Sequence, residues 1–426
     1  MNNFSLPVIV NRDDHCVSRK KISTATLKVL YRLNEKGFTA YLAGGAVRDL
    51  ILKIKPNDFD VVTNATPEEI KKNFKNCRII GRRFRLAHIL FKGEIVETST
   101  FRAPIPENDF DIKNSSVLKG SDGLVVRDNL FGSPKEDALR RDFTINALFY
   151  DPINFTVIDY ANGLEDIYSK RIKVIGLPDK RFAEDPVRMI RAIRFASTLN
   201  FKIDKIDFIS IKENSHLIEN VSSSRLYEEI QKLFFNGSSK DMYKILEESN
   251  LLEYIFKDFY RWLKEDIKRT RWINKTLEQL DKWTNAGLKI DVSLLLALFF
   301  GEYHEFLINQ KLENDENLYD STRDIINRHL NSICSQIRIP KTVIYQTCDI
   351  MTNQIRFNRM NVKQSSRITQ SSSFLNSFLY LKFSSKIFQR NENIVLFWQK
   401  IRNVNSLKRA PERKGSRRRI PKRLKK

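Results

Sequence analysis

Cysteine is scarce: Cys16, Cys77, Cys334 and Cys348 are scattered through 426 residues without a C-x-x-C spacing. That pattern points to reduced thiols in a cytosolic protein rather than to a disulfide framework. Histidine is nearly as sparse, five in all, and none is followed directly by aspartate. Neither a zinc site nor an appended metal-dependent phosphohydrolase module is expected. No apolar run reaches the ~18 residues of a membrane span, and Met1 to Val10 lacks the basic-then-apolar pattern of a leader. Acid is also in short supply: 51 Asp and Glu face 74 Lys and Arg, for a net charge of +23. Such an excess suggests a polyanionic partner.

What is present is concentrated. The run Leu42-Ala43-Gly44-Gly45-Ala46-Val47-Arg48-Asp49 is followed, nine residues after Asp49, by Asp58-Phe59-Asp60. The paired glycine closes a predicted strand, Thr39 to Ala43, and opens a helix whose first turn carries Arg48. Backbone N–H groups at a helix start lack intrahelical partners and suit a phosphate. Asp58 and Asp60 lie at i and i+2 of a second predicted strand, Asp58 to Thr63, so both carboxylates project the same way. Either half alone is commonplace, because Asp-x-Asp is usually solvated and Gly-Gly before a helix is usually tight packing. Together, a phosphate cradle beside two hard oxygen ligands is what a pair of magnesium ions needs to bridge a triphosphate and a nucleophile. Asp58 and Asp60 are the candidate metal ligands, Gly44, Gly45 and Arg48 the candidate cradle, and nucleotidyl transfer the predicted chemistry.

These motifs resemble the polymerase-beta-type nucleotidyltransferase superfamily. Within it they are most similar to the class II branch, which holds bacterial poly(A) polymerases and CCA-adding tRNA nucleotidyltransferases. The resemblance implies an α+β catalytic head, a mixed sheet flanked by helices, followed by an all-helical neck and body. A chain of 426 residues exceeds what one core usually serves, so two to four subdomains are expected. They are a polar arm over 1–20, the head over 21–160, a neck with a base-recognition helix over 161–235, a helical body over 236–405 and a disordered basic tail over 406–426.

Ser23 to Lys36 has helical periodicity with Ser23 as its N-cap, and Thr66-Pro67-Glu68-Glu69 starts another helix. Arg85 to Phe91 and Glu94 to Phe101 predict a hairpin around Lys92-Gly93. Glu97 shares a face there with Ile95, Ser99 and Phe101, a carboxylate among apolar neighbours and a candidate third acid. Pro104 to Asn129 is polar and too long for a tight connection, and is expected to form a loop over the site. Asp137 to Tyr150 predicts a helix with Phe143, Ala147 and Tyr150 on one stripe. Its Arg140-Arg141-Asp142-Phe143-Thr144-Ile145-Asn146 run would ordinarily be surface charge, but it resembles a class II motif associated with the nucleotide's ribose and phosphates. By that resemblance Arg141 and Asp142 join the site; whether Glu97 or Asp142 completes the carboxylate set stays open. Asp185 before Pro186 predicts a helix N-cap, and Arg188, Arg191 and Arg194 form a cationic stripe of the kind that often serves solubility. Glu184-Asp185-Pro186-Val187-Arg188, however, resembles the family's base-reading motif, which makes Asp185 and Arg188 the candidate nucleobase readers. A carboxylate can accept from an exocyclic amine while a guanidinium donates to ring acceptors.

Beyond about Glu213 helical periodicity continues without a catalytic cluster, over Ser224 to Phe235, Ser239 to Glu248, Arg269 to Lys282, Val292 to Phe300 and Asn393 to Asn403. Tyr260, Trp262, Trp272 and Trp283 lie near basic residues, but aromatics at helical spacing are more often core than stacking platforms. Between Lys408 and Lys426 eleven Lys and Arg face the single acid Glu412. That run cannot bury a core; Arg417, Arg418, Arg419, Lys422 and Arg423 are its candidate RNA contacts, acting by phosphate neutralisation. Three features resemble poly(A) polymerases more than CCA-adding enzymes: Gly81-Arg82-Arg83-Phe84-Arg85-Leu86-Ala87-His88, Arg127-Asp128-Asn129-Leu130-Phe131-Gly132-Ser133, and the basic tail. The resemblance implies template-independent transfer of AMP from ATP to RNA 3′ ends with two Mg²⁺ ions, Mn²⁺ being an alternative. It places the protein in the cytoplasm, away from membranes, with RNA-decay or RNA-chaperone proteins as conceivable partners. CCA addition to tRNA is the alternative. A catalytically silent RNA-binding paralogue is a second, disfavoured by the intact Gly-Gly, Asp-x-Asp and Arg-Arg-Asp sets.

Overall fold

The computed structural model describes residues 6–81, 84–104, 117–119, 125–128, 130–311, 318–333, 336–360 and 362–409. The chain gathers into two compact units, Met1–Val221 with Asp241–Ile255, and Ser222–Lys240 with Phe256–Lys426. The border falls inside the expected neck, and a short stretch of the expected body groups with the head.

The first unit is built on a mixed sheet. In chain order its strands are β1 (Val8–Val10), β2 (Ala40–Ala43), β3 (Asp60–Thr63), β4 (Cys77–Ile80), β5 (Leu86–Phe91) and β6 (Glu94–Thr100). A separate ribbon of β7 (Val117–Lys119) and β8 (Val125–Asp128) follows, and then β9 (Leu148–Asp151) and β10 (Thr156–Asp159) return to the sheet. The spatial order is β1-β10-β9-β2-β3-β6-β5-β4, antiparallel throughout except for the parallel pair β3 and β6. The centre is apolar on both faces: Leu42, Ala43, Leu148 and Phe149 are fully buried. Phe101 and Phe149 meet edge to face there, ring centroids 6.1 Å apart. Ser23 caps its helix by accepting the Thr26 N–H, and Thr66 and Glu69 form a reciprocal capping box, as their spacing predicts.

Several expectations are corrected. The helix over Asp137–Tyr150 is not formed. A shorter helix, Pro134–Leu139, starts earlier on a Ser133–Glu136 capping box, and the chain then turns through Thr144–Asn146 into β9. Leu148, Phe149 and Tyr150 are buried on both faces between β2 and β10, so they lack strand alternation and pass for part of a helical stripe. Asp58 precedes β3, which begins at Asp60. On β6 the face of Ile95, Glu97 and Ser99 is the more open one, whereas Val96, Thr98 and Thr100 are buried. Asp185 does not cap the second arginine-bearing helix: it is the extended residue that closes Pro178–Glu184, and Val187–Leu199 begins after Pro186. The expected polar arm contributes the edge strand β1. Apart from Pro104 and the strands β7 and β8, the expected loop over Pro104–Asn129 lies outside the described residues, as do Arg417, Arg418, Arg419, Lys422 and Arg423.

The second unit contains helices and no strand among its described residues. Trp262 and Trp272 are buried, 5% and 2% exposed, in keeping with a core role. The Trp272 indole N–H donates to the Leu298 carbonyl at 2.6 Å while the ring stacks on Phe388, which satisfies its one polar atom inside the core. Among the described residues no single helix is long and apolar enough to cross a membrane.

Candidate active site

The cradle is a turn that demands glycine. Gly44 has φ +67°, and a Cβ added to it would lie 2.6 Å from Nη1 of Arg141. Its N–H donates to the Leu148 carbonyl at 2.9 Å, which ties the turn to β9. The antiparallel register of β2 on β3 pairs Ala43 with Asp60, so the sheet itself sets a carboxylate beside the glycine turn.

One strand further, the parallel pairing of Val61 with Thr98 brings Asp60 next to Glu97 on β6. Glu97 also faces His88 across β5, Nε2 to Oε2 3.3 Å. Asp60 is exposed at the first position of β3, yet enough protein surrounds its carboxyl to thin the water around it. Desolvation, and then the charges of Glu97 and Asp58 against the opposing pull of Arg141, push its carboxyl up to about 6. Of the two candidates for a third acid, Glu97 is therefore the neighbour of Asp60.

Asp142 is engaged elsewhere. It accepts the Phe143 N–H at 2.8 Å, Nδ2 of Asn146 at 3.1 Å, and Nε and Nη2 of Arg191 at 2.7 and 2.6 Å. Burial would raise its pKa, but the Arg191 guanidinium and these hydrogen bonds outweigh that and hold it below the usual carboxylate value. Oδ1 of Asn146 in turn accepts Nη1 of Arg48 at 2.6 Å, while Nε and Nη2 of Arg48 go to Asp49. Arg48 is thus buried within protein contacts rather than spread open over the cradle. Arg141 pairs with the buried Asp137 at 2.9 Å and donates to the Asn146 carbonyl at 3.2 Å.

The structure brings Gly44, Gly45, Arg48, Arg141 and Asp142 into one connected set. It adds partners that were not among the candidate site residues: Asp137, Asn146, Arg181 and Arg191. The Asp137–Arg141 pair had an available signal in its i,i+4 spacing. The pair of Asp142 with Arg191 had none, since 49 residues separate them. Arg188 donates through Nη1 to the Arg181 carbonyl at 2.8 Å and to Glu184 at 3.1 Å. Arg181 donates through Nη2 to the carbonyls of Arg140 and Arg141, which links the base-reading segment to the arginine turn.

Asp58 and Asp60, with Glu97 alongside, offer hard oxygen donors. No group of three or more His, Cys, Asp and Glu among the described residues forms a ready-made metal cage. This donor set fits Mg²⁺, which keeps several waters and is bound by one or two carboxylates together with substrate phosphates. A carboxylate edge beside a glycine turn, backed by guanidinium groups on a mixed sheet, defines a nucleotidyltransferase.

The comparisons narrow that class. The Poly A polymerase head domain matches residues 40–173, the probable RNA and SrmB-binding site of polymerase A matches 200–263, and the polymerase A arginine-rich C-terminus matches 314–426. Poly(A) polymerase I of Salmonella typhi is 38% identical over 413 residues, covering 96% of this chain and 87% of that protein. The CCA-adding enzyme of Lactobacillus helveticus is 37% identical over 227 residues, 53% of this chain and 54% of its own. The fold is shared with the solved CCA-adding enzyme of Bacillus stearothermophilus in complex with CTP, at a TM-score of 0.61 and 22% identity, covering 92% of this chain and 83% of that one. The chain belongs to the poly(A) polymerase family.

Proposed function

We propose that this chain is a template-independent polynucleotide adenylyltransferase that extends RNA 3′ ends with AMP drawn from ATP. The observation that carries this reading is the extent of likeness: poly(A) polymerase I is similar across 96% of the chain, whereas the CCA-adding relative aligns over 53%. The match of residues 200–263 to an RNA-binding region supports RNA as the second substrate.

Asp58 and Asp60 would hold Mg²⁺, which when bound lowers the pKa of the RNA 3′-hydroxyl and neutralises the triphosphate. Arg141, braced by Asp137 and directed at the Gly44 turn, meets the charge that moves onto the departing pyrophosphate. Arg48 acts by bracing Asn146, and Asn146 orients Asp142. Asp142, kept ionised by Arg191, addresses the ribose and phosphates through the groups it orients, Asn146 and Arg191. Asp185 and Arg188 read the adenine edge. The RNA 3′-oxygen attacks the α-phosphorus in line, the bond to the β-phosphate oxygen breaks, and pyrophosphate leaves. The basic tail tethers RNA without reading its sequence. Deleting 408–426 is expected to weaken RNA binding and flatten its salt dependence, and an unchanged salt slope would return the tail to a solubilising role. The setting is the cytoplasm.

The test is primer extension with purified protein and Mg²⁺, offering each nucleoside triphosphate, singly and mixed, to an unstructured RNA and to a tRNA trimmed of its CCA end. A long ladder with ATP on the unstructured RNA is expected. One to three additions confined to the tRNA, with CTP required before ATP, would make it a CCA-adding enzyme. No incorporation on either would leave an RNA-binding protein without this chemistry.

A further inference from the structure

Arg181 stands at the junction of the two halves of the nucleotide site. It belongs to the helix Pro178–Glu184, with its side chain 14% exposed. Its Nη2 donates to two main-chain carbonyls, Arg140 at 2.7 Å and Arg141 at 2.6 Å, and its Nη1 donates to Glu184 at 3.0 Å. Its own carbonyl accepts Arg188 Nη1 at 2.8 Å, and Arg188 shares the same Glu184 oxygen at 3.1 Å. Peptide groups are planar and stiff, so fixing the carbonyls of Arg140 and Arg141 fixes the two planes on either side of the Arg141 Cα. From that turn the Arg141 side chain extends to the Gly44 cradle, and Asp142 reaches Arg191. Serving three acceptors in different directions takes a planar fork of donors, which arginine has and a lysine ammonium does not.

We infer that Arg181 is a positioning residue for nucleotidyl transfer, coupling base recognition at Asp185 and Arg188 to the placement of Arg141 and Asp142 on the sugar and phosphates. The inference rests on the roles proposed for those four residues. Movement of Arg188 on docking of a base is felt at the Arg181 carbonyl, and the guanidinium of the same residue carries it into the 140–142 turn. A base that seats badly then leaves Arg141 badly placed, so selectivity is expressed in the rate of transfer as well as in binding.

The test compares steady-state addition of ATP and of CTP to one unstructured RNA by the full chain, Arg181→Lys, Arg181→Gln and Asp185→Ala. For Arg181→Lys, kcat with ATP is expected to fall roughly 10²-fold, the effect of a misplacement of about 1 Å, with a smaller change in KM. The ratio of kcat/KM for ATP over CTP is expected to drop roughly tenfold, with RNA affinity unchanged. Arg181→Gln, which reaches fewer acceptors, loses more. A lower melting temperature with the ATP-over-CTP ratio intact would reduce Arg181 to a structural residue and overturn the coupling. Asp185→Ala separates this from the reading beneath it. If Asp185→Ala keeps its preference for ATP, the base-reading assignment fails and the inference with it. If Asp185→Ala loses the preference while Arg181→Lys retains it, the coupling alone fails. Should Arg181→Gln not fold, Arg181→Lys combined with Arg141→Lys carries the test: losses smaller than the product of the single losses support a unit, and a full product overturns it.

Discussion

The start of β3 and the turn that follows Pro134–Leu139 treat the same chemical group in opposite ways. At β3, Asp60 has Asp58 and Glu97 as neighbours and is pushed up to about 6, burial first and these two charges with it. In the turn and the helix before it, Asp142 and Asp137 each have a guanidinium: Asp137, on the helix, holds Arg141 at 2.9 Å, and Asp142 holds Arg191 at 2.6 Å and stays below the usual carboxylate value. The turn is finished before any ligand arrives, so its dipoles and charges need little reorganisation during reaction. The carboxylate edge is unfinished. Crowded acids destabilise the free protein and become favourable only once a cation and a phosphate chain join them, which is how a site differs from a scaffold.

That contrast is most directly broken by activity. Asp60→Ala is expected to reduce transfer roughly 10³-fold or more while RNA affinity stays near wild type. A variant that still extended RNA at the normal rate would remove Asp60 from the site. In the free protein, Asp60→Asn is expected to leave the melting temperature unchanged or raised, because it removes one of the repelling charges. Asp142→Asn is expected to act in the other direction, removing the carboxylate charge that faces Arg191. Breaking a buried pair costs about 3–5 kcal/mol. Since the Arg191 side chain is 33% exposed, a loss of about 2 kcal/mol is the better expectation after allowing for solvent screening. Urea unfolding of both variants checks the pair of predictions, and equal losses would erase the distinction between edge and turn.

The parts legible in the sequence were those whose chemistry is local. Gly44, Gly45, Asp58 and Asp60 lie within one short span, and β2 and β3 carry them together by adjacent pairing. The sites of Asp142 and Arg48 were only half legible. Their partners Arg191 and Asn146 are 49 and 98 residues away, and the second is placed by the turn into β9, a strand whose burial on both faces removed the alternation that would have revealed it. Arg48, expected to face phosphate, is instead enclosed by Asp49 and Asn146, something that no spacing within its own helix could show. In the second unit the helix Thr270–Asn285 kept a polar face, so helical periodicity over Arg269–Lys282 was readable although the packing of Trp272 on Phe388 was not.

A pH-dependent effect concerns a carboxylate that has no guanidinium bonded to it. Asp207, 3% exposed, accepts the Val174 N–H at 2.6 Å. Desolvation, outweighing that hydrogen bond and helped by the charge of Asp204, pushes it up to about 7. An acid whose pKa is higher in the folded state binds its proton more tightly there, so the folded state is favoured where the proton is kept. The contribution of Asp207 is therefore intact below about pH 4 and is lost as pH rises through about 7. Asp207→Asn retains a carbonyl oxygen for Val174 and removes the titration. Between about pH 4 and about pH 8 the wild type is expected to lose on the order of 2 kcal/mol that the variant does not, read from urea midpoints across that range. Parallel pH profiles would mean that a single backbone N–H suffices to keep a buried carboxylate ionised. The guanidiniums around Asp137 and Asp142 would then be needed for the shape of the turn rather than for its charge.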